Sequence, residues 1–277
     1  MSQGINRPVN ESAPYGGKTV YGATLGILML ETEFPRVHGD VGNAATFDFP
    51  VLYKVVPGAT SYRVVREQGA GLDDAFADAA RELVQIGADG VGTSCGFLSL
   101  FQSKLAAAAG VPVATSSLMQ VPWVQRTLPP GKRVGVITIS SGNLTPAHFE
   151  AVGAPLDTPM IGTEGGTEFT KSITGGRNTL DVEASRDDIV AAGQELIRRH
   201  PEIGALVLEC TNMGPYPRDL NLALGVPVFD IVSLLTWFHA GLRPRRFSPG
   251  PATPKASHHS LANARSKRYP SMYGIER

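Results

Sequence analysis

The chain has 277 residues, 42% of them apolar, with 31 glycines, 21 prolines and only two cysteines. Lys and Arg number 25, as do Asp and Glu, so no net positive field draws in nucleic acid. No apolar run reaches the roughly 18–20 residues that span a bilayer, and the polar start lacks a secretory apolar core. A cytoplasmic α/β protein with two reduced thiols is expected.

Residues 1–18 read as a flexible arm. Within it, Gly16-Gly17-Lys18-Thr19 resembles the end of a phosphate-binding loop. Ser12 stands where that loop needs glycine, and the segment precedes a strand instead of following one, so phosphate binding is not expected. A strand is predicted over about 20–30, a loop over 31–47 and a strand over 49–56. A helix follows over 72–87, where Leu72, Phe76, Ala79, Ala80, Leu83 and Val84 keep helical spacing. Val91 to Cys95 reads as a short buried strand, 98–109 as a helix, 111–114 as a strand and 117–128 as a helix.

The pattern then restarts. Val134 to Ile139 is a strand, 144–152 a helix and 159–162 a strand. Ser185 and Asp188 form a capping-box-like start for a helix over 186–200. Ala205 to Cys210 is a strand. A helix begins near Pro215-Tyr216-Pro217, since proline is tolerated in a first helical turn. A strand over 226–231 and a helix over 232–240 complete the alternation. Residues 243–277 hold eight Lys or Arg against one acid and read as a basic, solvated tail.

Self-similarity fixes the architecture. Cys95 and Cys210 each end an apolar run, and the same tetrapeptide follows both at equal distance: Gly110-Val111-Pro112-Val113 and Gly225-Val226-Pro227-Val228. Upstream, Glu82-Leu83-Val84 matches Glu195-Leu196-Ile197; downstream, Leu105 matches Leu220. Alternating strands and helices argue parallel sheets with crossover helices. The expected fold is α/β, with two similar Rossmann-like lobes related by a pseudo-twofold axis and the active site in the cleft between them. Lobe 1 is expected over 19–117 plus 232–242, and lobe 2 over 118–231.

Each cysteine falls where a parallel strand ends and a helix is about to begin, the edge at which such sheets bind ligands. A helix N-terminus there favours thiolate and lowers the thiol pKa. Either cysteine alone reads as core filling, because cysteine is among the most buried residue types. Both at one repeat position, with no other cysteine in the chain, point instead to a shared site. Neither has a histidine nearby, so no structural zinc site is expected. His38 and Asp40 read as an exposed turn.

The runs Gly92-Thr93-Ser94-Cys95-Gly96-Phe97 and Leu208-Glu209-Cys210-Thr211-Asn212-Met213 resemble motifs of the aspartate/glutamate/hydantoin racemase superfamily. The resemblance covers roughly residues 20–240. It implies a PLP-independent isomerase with no cofactor and no metal, inverting the α-carbon of an amino acid or related small carboxylate. Cys95 and Cys210 would act as the acid/base pair, one removing a proton and the other returning it to the opposite face. Ser94, Gly96, Phe97, Thr211 and Asn212 are carried over as substrate contacts; capping is an equal role for Ser94 and Thr211. Ser117, Ser141 and Asn43 are further expected contacts. Arg36 is the cation for a second carboxylate, with a surface salt bridge as its other role.

The chain departs from the glutamate branch of that superfamily. Leu28-Met29-Leu30-Glu31-Thr32 lacks an Asp-Ser pair, and Asn212 replaces a histidine. Hydantoin racemase, maleate cis-trans isomerase and arylmalonate-type decarboxylase chemistry stay open, as does a two-lobed binding protein without catalysis. A homo-oligomer acting on a small-molecule carboxylate is expected, with neither nucleic acid nor membrane as partner.

Overall fold

The computed structural model describes residues 16–245. The expected arm falls outside them up to residue 15, and the basic tail from residue 246 onward. Among the described residues no helix is long and apolar enough to cross a membrane.

The first half opens with β1 (Leu25–Leu30) and β2 (Val51–Val56), then α1 (Ser61–Val65) and α2 (Asp73–Ile86). It continues through β3 (Gly90–Thr93), α3 (Gln102–Ala109), β4 (Val113–Ala114) and α4 (Val121–Thr127). The second half repeats the order with one added helix, α5, between its first two strands: β5 (Arg133–Thr138), α5 (Pro146–Glu150), β6 (Met160–Gly162), α6 (Phe169–Thr174) and α7 (Val182–Arg199). It ends with β7 (Ile203–Leu208), α8 (Pro217–Leu224), β8 (Val228–Phe229) and α9 (Ile231–Leu242).

Two four-stranded parallel sheets result, ordered β2-β1-β3-β4 and β6-β5-β7-β8. The strand order is the same in both, as the repeat requires. Leu25–Leu30 is buried throughout, because a parallel sheet covered on both faces wants continuous apolar strands. Gly26 and Gly135 sit at matching places in the two central strands; a β-carbon there would crowd Leu83 or Leu196, the paired leucines of α2 and α7. The shared tetrapeptide has a backbone reason too. α3 and α8 both end on a left-handed glycine, Gly110 at φ +64° and Gly225 at φ +68°, a conformation that suits residues without a β-carbon.

One hydrophobic core runs through both halves, joining Leu28, Val91 and Leu98 to Ile137, Val207 and Leu208. A second lies between the first sheet and α9, where Leu25 and Ile27 meet Leu234 and Leu235.

Three local expectations are corrected. α7 starts at Val182, capped by Asp181, whose carboxylate accepts from the Ala184 N–H at 3.0 Å. Ser185 is therefore buried inside the helix, and Asp188 turns outward to accept from the N–H groups of Thr167, Glu168 and Phe169 at the start of α6. The loop 31–47 is no exposed turn at Asp40. That residue is buried and accepts from Arg36 and the Gly42 N–H. Helices α1 and α6 were not predicted; five or six residues are too short for a periodic signal, and both are rich in β-branched residues. The phosphate-loop lookalike is otherwise engaged, with the Lys18 ammonium paired to Asp89 and donating to Gly87 O at 2.9 Å.

Candidate active site

β3 and β7 deliver the two thiols. Beyond each strand the chain makes a short helical turn, Gly96–Phe101 or Thr211–Met213, with Cys95 or Cys210 as the residue that opens it. The residue before each cysteine is anchored alike. Ser94 N–H donates to Leu28 O at 2.9 Å, and Glu209 N–H donates to Ile137 O at 2.8 Å.

The two strand ends then meet. The Thr211 hydroxyl donates to Ser94 O at 2.6 Å. Gly96 lies so close to Glu209 that a β-carbon on it would overlap the Glu209 carboxyl and carbonyl. Both thiols are free, 8% and 6% exposed, and they border one pocket.

Both halves line that pocket. Its apolar wall includes Leu30, Phe34 and Val65 from the first half and Ile139 and Ile173 from the second. Its polar groups include Arg36, Glu209 and Asn212. The free volume is about 20 Å³, room for roughly one water. Ser61 of α1 and Thr174 of α6 border both this pocket and an outer cavity of about 370 Å³.

Arg36 supplies positive charge. Its guanidinium lies 4.4 Å over the Phe34 ring and donates to Asp40 and to Thr32, each at 2.9 Å. Five N–H groups are available on a guanidinium, so others stay open to a ligand. The side chain is largely buried, so its pair with Asp40 is not the surface salt bridge that was the alternative. Asp40 also accepts from the Asn212 amide at 2.7 Å. Asn212 in turn accepts from the Cys210 thiol at 3.6 Å. One buried chain of contacts thus runs from Arg36 to Cys210.

The thiols are not activated as the strand-end argument expected. Burial, reinforced by the Glu209 charge, pushes Cys95 up to about 12; the Phe97 N–H, the Arg36 charge and the Leu98 N–H pull the other way and do not offset it. The same two causes push Cys210 well above the usual thiol value. The physical reason is that each cysteine opens a turn of three to six residues rather than a long helix, and desolvation outweighs so short a dipole. Glu209 is itself raised to about 7 by burial, against the Thr138 hydroxyl that donates to it at 2.6 Å.

Of the expected contacts, Arg36, Ser94, Gly96, Phe97, Thr211 and Asn212 reach the pocket with the two cysteines. Ser94 and Thr211 spend their hydroxyls on structure, one accepting from Leu30 N–H at 2.9 Å and the other binding Ser94 O. Three expected contacts lie outside the pocket lining. Ser117 is buried behind the site, its hydroxyl donating to Leu208 O. Ser141 faces outward and donates to Glu164 at 2.6 Å. Asn43 pins its own loop, donating to Arg36 O at 2.8 Å. Two residues were missed as site groups, Glu209 and Asp40. The signal for Glu209 was present: a lone acid closing the apolar run Ala205-Leu206-Val207-Leu208.

No family model matches the chain. Dimethylsulfoniopropionate lyase of Durusdinium sp. clade D is 28% identical over 228 residues, covering 79% of this chain and 75% of that protein. Dimethylsulfoniopropionate lyase 6 of Emiliania huxleyi is 29% identical over 223 residues, covering 76% of this chain and 57% of that protein. The chain thus spans little more than half the length of the second relative. Among solved structures, unliganded arylmalonate decarboxylase aligns with a TM-score of 0.51 at 17% identity, over 82% of this chain and 97% of that one. Allantoin racemase from Pseudomonas fluorescens aligns with a TM-score of 0.50 at 17% identity, over 82% of this chain and all of that one. The names of the two relatives are those of lyases, where the sequence motifs pointed to an isomerase.

Proposed function

We propose that this chain, which has the fold of the aspartate/glutamate/hydantoin racemase superfamily, removes the proton next to the carboxylate of a small acid and expels a sulfonium leaving group from the next carbon. The observation that carries this reading is a free thiol bordering an enclosed pocket whose lining is largely apolar and includes the Arg36 side chain. The names of the Durusdinium and Emiliania relatives supply the leaving group and the class of substrate, a dialkylsulfoniopropionate.

The step balances without a cofactor. A thiolate, of Cys95 or Cys210, takes the α-proton. The freed C–H electron pair becomes the double bond between the α- and β-carbons. The bond from the β-carbon to sulfur breaks, and dimethyl sulfide leaves with that pair. Acrylate remains, and the thiol gives its proton to water. Arg36 is suited to hold the carboxylate through the fork of N–H groups not spent on Asp40 and Thr32. The apolar wall suits the methyl groups on sulfur, and it excludes water that would solvate the carbanion.

A second reading is racemisation at the α-carbon. What favours it is the number of thiols: elimination needs one base, and a two-base inversion needs both. One experiment separates the readings. The protein is incubated in heavy water with dimethylsulfoniopropionate, and separately with amino acids, hydantoins and arylmalonates. Dimethyl sulfide and acrylate from the first are the expected result. Deuterium at the α-carbon of an amino acid or hydantoin, without dimethyl sulfide, selects the isomerase reading, and an α-deuterated arylacetate formed from an arylmalonate with loss of carbon dioxide selects a decarboxylase. No signal with any compound leaves a binding protein.

A further inference from the structure

We propose that Glu209 serves this site as a neutral carboxylic acid, its Oε1 donating a hydrogen bond to the substrate oxygen on which negative charge collects as the α-proton leaves. The proposal rests on the α-proton reading above and adds a third group to the two thiols.

The repeat shows what is unusual about Glu209. Its counterpart is Ser94, the residue before the other cysteine. Ser94 is satisfied, with its hydroxyl accepting from Leu30 N–H. Glu209 is half satisfied. Its Oε2 accepts from the Thr138 hydroxyl at 2.6 Å, while Oε1 is buried and has no partner. The residue is completely buried and stands in the pocket wall with both thiols. Buried polar atoms are nearly always paired, so an orphan oxygen on a residue that lines the pocket marks a place for a ligand atom. Gly96 leaves it room, since any β-carbon there would overlap this carboxyl.

The surroundings keep the proton on. Among the described residues Glu209 forms no ion pair. The titratable groups that face it are Cys95 and Cys210, both acids. Arg36 and Asp40, the charged groups that act on Cys95 and Cys210 respectively, are paired and neutralise one another. A buried carboxylate with one hydrogen bond and no cation is strongly disfavoured. Burial accordingly raises this carboxyl to about 7.

A neutral Glu209 does two things. Its O–H is a fixed donor for an enolate oxygen, in a place where water is excluded and the bond is strong. It also withholds the negative charge that pushes both thiols up. The proton stays on Glu209 throughout; only a cysteine exchanges one with carbon.

The test uses Glu209→Gln and Glu209→Leu in the full chain. Gln keeps a donor and never ionises; Leu removes the donor. In the wild type, kcat/KM should rise in proportion to hydroxide up to about pH 7 and then level, because each thiolate gained above that point is matched by a neutral Glu209 lost. In Glu209→Gln the rise should continue through that pH. Glu209→Leu should lose about 10²–10³-fold in kcat, the usual effect of removing one such donor, with Gln recovering most of it. Infrared difference spectra of the resting protein at mildly acidic pH should show a protonated-carboxyl band that Glu209→Gln lacks.

A folded Gln variant as inactive as Leu would overturn the proposal, because a negative charge would then be what the site needs. So would wild-type turnover in Leu, or a missing carboxyl band. If Leu does not fold, the Gln profile and the band decide. If the wild type turns over none of the substrates, the α-proton reading fails by itself, and the infrared band still reports the charge of Glu209.

Discussion

The Thr211 hydroxyl donates to the carbonyl of Ser94, 117 positions earlier in the chain, at 2.6 Å. This one bond joins the two strand ends that carry the thiols, and both partners are buried. Thr211→Val keeps the shape and leaves the Ser94 carbonyl short of a donor. The loss should be about 1–3 kcal/mol of stability, the penalty for an unsatisfied buried group, together with reduced turnover. Urea unfolding measures the first. An unchanged midpoint would show that the two ends are held together by packing alone.

The thiols divide the two reactions. In the elimination reading, one of Cys95→Ser and Cys210→Ser should lose about 10²–10⁴-fold in turnover, the range for a general base, and the other much less. In the racemase reading both should. Because burial raises both thiols, alkylation by iodoacetamide should be slow at neutral pH and quicken steadily as pH rises and thiolate forms. Fast labelling at neutral pH would mean that the pocket opens widely in solution.

Asp40 is expected to act through its neighbours. It holds Arg36 on one oxygen and Asn212 on the other. Asp40→Asn removes the charge that fixes the guanidinium, so KM should rise by about tenfold, equivalent to about 1.4 kcal/mol, with a smaller fall in kcat. Steady-state kinetics decide this. A fall in kcat at constant KM would place Asp40 in the chemistry rather than in substrate binding.

Glu209 also makes stability depend on pH. Its folded carboxyl lies near 7, above the ordinary 4.5. Between those values the folded chain holds a proton that the unfolded chain has released, so stability falls as pH rises and levels off above about 7. Glu209→Gln should lack that decline and gain on the wild type across the window. Parallel curves from urea unfolding at several pH values would show that the carboxyl is not buried in the way described.

Much of the fold was legible because the signals were local and repeated. The helical spacing of Phe76, Ala80 and Leu83 marks α2, and those residues are buried on it. The tetrapeptide at Gly110 and Gly225 marks two helix ends that share a left-handed glycine. The short helices α1 and α6 carried too few residues for a period. The capping of α7 was misplaced at Ser185 because two plausible acids, Asp181 and Asp188, lie within one turn on either side of it, and only tertiary structure shows that Asp188 caps a different helix.

At the site, the motifs around Cys95 and Cys210 found most of the pocket, since residues beside a strand end stay together. Ser117, Ser141 and Asn43 were nominated on strand-end or loop position alone. Their hydroxyl and amide groups satisfy Leu208 O, Glu164 and Arg36 O instead.

The sequence by itself determined two equivalent halves and one thiol in each, because repeats and strand–helix alternation are written along the chain. Only tertiary structure decided the electrostatics. How far water is excluded around Cys95, Cys210 and Glu209, and that one carboxyl oxygen there has no partner, depends on what the other half of the chain brings against them. Desolvation is a property of three-dimensional surroundings, and the order of residues does not carry it.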